Sequence, residues 1–269
     1  MKKVAIFGVP RSGTSWLGQI FNSSTEVTYR YQPIFSYSFD GKLSKDSSNE
    51  EIRKFHSDLL KTDDPFVCQK QNISGNSTPG FKKTDIKFLA WKEVRYLEII
   101  ENLIQKSDTK VIGIVRHPCG VIKSWMKAPK EFNSDWDILE EWRYAYKKNK
   151  NRHDYYGFEK WIETTRMFIE IRNKYPSQFE IVRYENLLQS TETIVTGLFE
   201  FCGIPLDEQT LNFINDSTSK SSDDPYDVYR KNKRANEWKD ELPKEVIDLI
   251  MTNNRFIEIQ DQLNGLQRL

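Results

Sequence analysis

The chain opens on a short apolar run, Val4 to Phe7, rich in β-branched residues and bounded by Gly8, a pattern that predicts a buried strand. After a Gly/Pro-punctuated turn, Gly8 to Gly13, apolar positions return at helical spacing as Trp16, Leu17, Ile20 and Phe21. Further strands are predicted over Glu26–Tyr31, Val111–Val115 and Phe179–Arg183, and helices over Glu50–Leu60, Phe158–Tyr175 and Thr191–Gly203. Lys92 to Ile104 carries an apolar stripe of Val94, Leu97, Ile100 and Ile104. It reads as the crossover helix leading to the Val111 strand. Strands alternating with helices predict an α/β fold, a mostly parallel central sheet flanked by helices, in a single domain over residues 1–269.

Polar and aromatic stretches interrupt this pattern. Residues 32–80 are polar, with turn signals at Asp40-Gly41, Asp63-Asp64-Pro65 and Thr78-Pro79-Gly80. Loops of that length in a compact domain are commonly functional, and the stretch reads as part of an acceptor site. Residues 125–160 are dense in aromatics and charge. Helical spacing assigns several of the rings to the core and leaves others for a pocket. Residues 217–240 read as a flexible segment holding the basic run from Arg230 to Arg234.

The first strand, loop and helix together form an anion cradle. N–H groups in the first turn of a helix lack intrahelical partners, and the macrodipole adds partial positive charge there. Arg11 adds a full charge, and Ser12, Thr14 and Ser15 add hydroxyl donors. Gly8 and Gly13 have the spacing of a nucleotide-binding P-loop, but Thr14 stands where its lysine belongs. The strand Val111–Val115 runs into Arg116-His117-Pro118 rather than into a metal-holding Asp. An arginine there binds an anion directly.

Pro10 to Leu17 resembles the 5′-phosphosulfate loop of sulfotransferases that use 3′-phosphoadenosine-5′-phosphosulfate (PAPS), Pro-Lys/Arg-Ser-Gly-Thr-Ser/Thr-Trp-Leu/Val, and matches it throughout. Val115 to Trp125 resembles the family's 3′-phosphate motif, an arginine ending a strand and a serine eight positions later, here Arg116 and Ser124. Ile181-Val-Arg-Tyr184-Glu-Asn-Leu187 is similar to the segment whose tyrosine borders the adenine. The resemblance implies a P-loop-like sulfotransferase fold with PAPS as sulfonyl donor and no metal. It assigns the cofactor to Pro10, Arg11, Ser12, Gly13, Thr14, Ser15, Trp16, Arg116, Ser124 and Tyr184. A covering segment before Trp238-Lys239 would place Arg230, Lys231 or Arg234 on the 3′-phosphate. Soluble members carry Lys-Thr-His, with His as base and Lys on the sulfonyl group; here Lys83-Thr84-Asp85 stands for it, as carbohydrate sulfotransferases use Glu. The implied catalytic set is Arg11, Lys83 and Asp85. His117 reads as structural, and His153 and the loop carboxylates are further base candidates.

Composition narrows the partners. Lys+Arg 40 against Asp+Glu 39 gives a net charge of +1, which implies no nucleic-acid partner. Hydrophobic content of 38% and a mean hydropathy of −0.68 describe a soluble chain. The three cysteines, Cys68, Cys119 and Cys202, show no metal or disulfide spacing and point to a reducing compartment. No signal peptide or membrane span is visible, so the expectation is a cytoplasmic enzyme acting on a small-molecule or carbohydrate acceptor, with the sequons at Asn72 and Asn76 idle. Two other readings remain, a kinase-like phosphotransferase and a non-catalytic nucleotide-binding module.

Overall fold

A computed structural model describes residues 1–70, 80–220, 226–229, 231 and 234–266. Its centre is a five-stranded sheet of β1 (Lys2–Phe7), β2 (Val27–Tyr31), β3 (Phe88–Glu93), β4 (Lys110–Val115) and β5 (Phe179–Arg183), in the order β2-β3-β1-β4-β5. Every pairing is parallel. The helices are α1 (Thr14–Ser23), α2 (Asn49–Lys61), α3 (Ile100–Lys106), α4 (Pro118–Met126), α5 (Ile138–Glu141), α6 (Gly157–Lys174), α7 (Tyr184–Gln189), α8 (Thr191–Cys202), α9 (Glu208–Ser219), α10 (Trp238–Glu241), α11 (Lys244–Met251) and α12 (Asn254–Gly265). Among the described residues no helix is long and apolar enough to cross a membrane.

Both faces of the sheet are covered, as parallel sheets require. Alternate side chains feed two cores. Ala5, Phe7, Leu89, Trp91 and Val111 pack with Phe55, Ile100 and Phe168 of α2, α3 and α6. Val4, Ile6, Ala90, Ile112 and Ile114 pack with Leu17, Leu198 and Phe213 of α1, α8 and α9. The sequence-based α/β expectation therefore holds, and Glu50–Leu60 is α2, started by a Ser48–Glu51 capping box.

The predicted helix over Lys92–Ile104 is corrected. Lys92 and Glu93 finish β3, Tyr96 turns the chain at φ 55°, and helix begins only at a 3₁₀ turn over Leu97–Ile99 that leads into α3. All six residues of Phe88–Glu93 are buried, and the run fills the slot between β1 and β2. Pairing on both sides outweighs the local helical period. From β1 the chain builds β2 and β3 on one side and β4 and β5 on the other. The order thus reverses at β1, and its C-terminal end opens on the crevice where such sheets bind ligands.

Candidate active site

The loop from Gly8 to Gly13 leaves the C-terminal end of β1 and is closed by two local bonds, Ser12 N–H to Val9 O at 3.2 Å and Ser12 Oγ to the same carbonyl at 2.7 Å. Gly8 has no room for a side chain: a Cβ would lie 2.5 Å from Ser12 Oγ. Gly13 takes φ 102° against the Tyr184 ring, 2.6 Å from where a Cβ would be. Arg11 is left-handed too, at φ 71°, a conformation costing a non-glycine residue about 1–2 kcal/mol. Such strain clusters at ligand sites, and here it aims a guanidinium across the loop. Among the described residues no side chain caps α1, so its first-turn N–H groups face the concavity with the helix dipole behind them.

Arginines from two strands meet over this loop. Arg116, just past β4, donates through Nη1 to the Arg11 carbonyl at 3.2 Å, and its guanidinium lies 4.5 Å above the Tyr184 ring. Its Nε is buried without a hydrogen-bond partner among the described residues, a donor left for an anion. Arg11 Nε donates to Ser124 Oγ at 3.2 Å, so the predicted phosphate-motif serine joins the same cluster. Trp16 and Tyr184 pack edge to face beneath the loop, 6.1 Å apart, and Trp16 Nε1 donates to Ser217 Oγ. Both rings are covered here. His117 accepts the Cys119 N–H as the N-cap of α4 and stacks on Trp238 at 4.5 Å, the structural role expected of it. Burial lowers its pKa to about 4.

The structure moves the predicted catalytic pair away from this site. Asp85 precedes β3, beside the start of β1, where Lys2 N–H bonds to Lys87 O. In a parallel sheet that edge is one strand length, about 20 Å for six residues, from the loop. The Asp85 side chain is 79% exposed and pairs with Lys87 at 3.5 Å. Lys83 donates to the carbonyls of Asn22 and Ser24, closing the C-terminal end of α1, and burial lowers its pKa to about 8. Among the covering-segment candidates, Arg230 lies outside the described residues. Lys231 bonds through its N–H to Lys220 O, and Arg234 pairs with Asp240 at 3.1 Å in solvent. Sequons Asn72 and Asn76 also lie outside the described residues. His153 sits 2.7 Å from Glu98 and stacks on Tyr96.

The end of β3 supplies what the Lys83–Asp85 stretch does not. Glu93 is the register partner of Phe7, the last residue before the loop, and Lys92 pairs with Ile6 and Tyr31. The Lys92 ammonium lies 4.2 Å over the Tyr31 ring, with Arg11 and Glu131 near enough to act on it. Burial pushes the pKa of the Tyr31 phenol up to about 12, and Ser15 in the first turn of α1 is near enough to act on it. Glu93 accepts the N–H groups of Val94 at 3.0 Å and Ile34 at 3.2 Å, and burial raises its pKa. Burial lowers that of Lys92. Sequence reasoning missed Lys92, Glu93, Tyr31 and Glu131. The usable signal was the apolar run Phe88-Leu-Ala-Trp91 just ahead of a second Lys-plus-acid pair. Among the described residues no group of three or more His, Cys, Asp or Glu side chains could hold a metal ion.

The sequence pattern of the sulfotransferase domain matches residues 1–253. The chain is similar to carbohydrate sulfotransferase 3 of Rattus norvegicus, 21% identical over 311 aligned positions that cover 93% of this chain and 65% of the rat protein. It thus spans just under two thirds of that relative's length. Its fold is similar to that of mouse sulfotransferase SULT7A1, solved in complex with PAP, at a TM-score of 0.55 and 14% identity over 98% of this chain and 89% of that one. The sulfotransferase domain of the Synechococcus PCC 7002 olefin synthase superposes at 0.54 and 19% identity, covering 98% and 94%.

Proposed function

This chain belongs to the sulfotransferase domain family, and from that membership we propose that it moves a sulfonyl group from PAPS to a hydroxyl or amine of a small-molecule or carbohydrate acceptor. The observation that carries this reading is convergence. Arg11 from the β1 loop, Arg116 from the end of β4 and Lys92 from the end of β3 meet at one sheet edge beside the uncapped start of α1.

The residues fit the cofactor on their own terms. The buried Nε of Arg116, unpartnered among the described residues, suits the 3′-phosphate, with Ser124 joined to the cluster through Arg11. First-turn N–H groups of α1 and the Arg11 guanidinium suit the 5′-phosphosulfate. The nucleotide supplies the activated sulfonyl group when bound. Lys92 and Arg11 would hold its sulfonyl-bearing end and offset the negative charge that develops there. Glu93 takes the acceptor proton. It ends β3 directly after Lys92, and burial raises its basicity toward the working range of a general base. Free cysteines at 68, 119 and 202 agree with the expected reducing, cytoplasmic setting.

The name of the rat relative supports carbohydrate acceptors. Incubation with ³⁵S-labelled PAPS and a panel of neutral, amino and acidic oligosaccharides and small phenols tests the reading. Label is expected on at least one hydroxyl or amine. Tight nucleotide binding with no labelled product from any of them would leave the binding-module reading instead.

A further inference from the structure

Glu131 is a carboxylate in the wrong place for an anion site. It follows α4 in a tight turn, its N–H bonded to Ala128 O at 2.8 Å and its carbonyl accepting Trp125 Nε1 at 3.1 Å. Oε1 lies 3.7 Å from Arg11 Nη1. Oε2 is buried and meets no hydrogen-bond donor among the described residues. A buried acceptor left unpaired is costly, so its position needs a reason. The charge of Glu131 acts on Tyr31, Lys92, Lys148 and Tyr156. Lys148 pairs with no carboxylate among the described residues; its ammonium lies 5.1 Å over the Tyr156 ring.

We propose that Glu131 is the resident anion of the loop, holding Arg11 until the 5′-phosphate end of the nucleotide takes its place and displaces it toward Lys148. The proposal rests on the reading above, in which Arg11 meets that end. A carboxylate within 4 Å of Arg11 both competes for the guanidinium and repels the incoming anion. Binding therefore releases an acid from the loop and leaves it facing the acceptor side, where it meets a hydroxyl or ammonium donor. The cleft is set for the acceptor only after the nucleotide is in, an order of binding written into one ion pair.

The test is calorimetric titration of 3′-phosphoadenosine-5′-phosphate (PAP) into the wild type, Glu131→Gln and Glu131→Ala. Thermal midpoints of the unliganded proteins show first that each variant folds. Both variants are expected to bind PAP about threefold to tenfold more tightly than the wild type, because a like charge has been removed from the site. Unchanged or weaker binding in a folded variant overturns the proposal and makes Glu131 a support for Arg11. A wild type that binds no PAP overturns the sulfotransferase reading itself, and this proposal with it, so the two failures are told apart by the first titration.

Discussion

Arg116 holds the backbone of Arg11. The Nη1–carbonyl bond at 3.2 Å ties the arginine that ends β4 to the strained residue in the β1 loop, and so joins the two anion-binding halves of the site. The Tyr184 ring lies under the Arg116 guanidinium and against Gly13, so both halves rest on one side chain.

Replacing Arg116 with Ala should therefore weaken two nucleotides, unequally. PAP loses a charge-assisted contact and is expected to bind about tenfold to a hundredfold more weakly. Adenosine 5′-phosphosulfate lacks the 3′-phosphate but still needs the loop that Arg116 supports, so a smaller loss, about threefold to tenfold, is expected from the lost guanidinium–carbonyl bond. Calorimetry with both nucleotides checks this. Equal losses would make the arginine a support only, and an unchanged phosphosulfate would mean that the Arg11 carbonyl contact carries nothing.

Glu93 and Asp85 make opposite predictions. Glu93→Gln is expected to lower kcat about a hundred- to ten-thousand-fold, with PAP affinity near wild type. Asp85→Asn, a strand length away and solvent-exposed, should leave kcat within about twofold, the usual scale of a surface change. The sign of the pH dependence follows from burial. A carboxyl raised in pKa is protonated at higher pH than an ordinary one, so the base form is lost sooner as pH falls. The acid limb of the kcat profile should accordingly lie above the usual carboxylate range. A full rate in the Gln variant would remove Glu93 from the chemistry.

How much of this was legible in sequence depends on the range of the interactions. Gly8, Arg11, Gly13 and the start of α1 are local, so their spacing announced the cradle directly. Arg116 and Ser124 were legible for the same reason, being one strand end and one helix. The base was not. Whether a Lys-plus-acid pair stands at the site depends on which end of a strand it occupies, and that is set by pairing with residues about eighty positions away. Lys83-Thr84-Asp85 imitates the motif at the wrong edge, while Lys92-Glu93 was hidden by a helical stripe whose second half, Ile100 and Ile104, lies in α3. Glu131 lay unmarked among the aromatics of residues 125–160, since only tertiary packing carries it to Arg11.

Acid stability gives a further check on the fold around the site. Burial depresses the pKa values of His56 and His117 from 6.5 to about 4, with neighbouring cations adding to both. A depressed group contributes stability that is fully present above its unfolded pKa and lost as pH falls through the folded value. Thermal midpoints should therefore decline between pH 6.5 and 4. His117→Asn keeps an N-cap for α4 but cannot titrate, and should flatten that decline by about one histidine's share of two. An unchanged slope would mean that His117 is not buried as described.

The choice of nucleotide tests the central claim most directly. Calorimetric titration of PAP and of ATP, each with and without magnesium, compares a site built on Arg11, Lys92 and Arg116 with one that needs a metal. The account predicts tight PAP binding, weak ATP binding and no gain from magnesium. Higher affinity for ATP, appearing only with magnesium, would contradict it and favour the phosphotransferase reading.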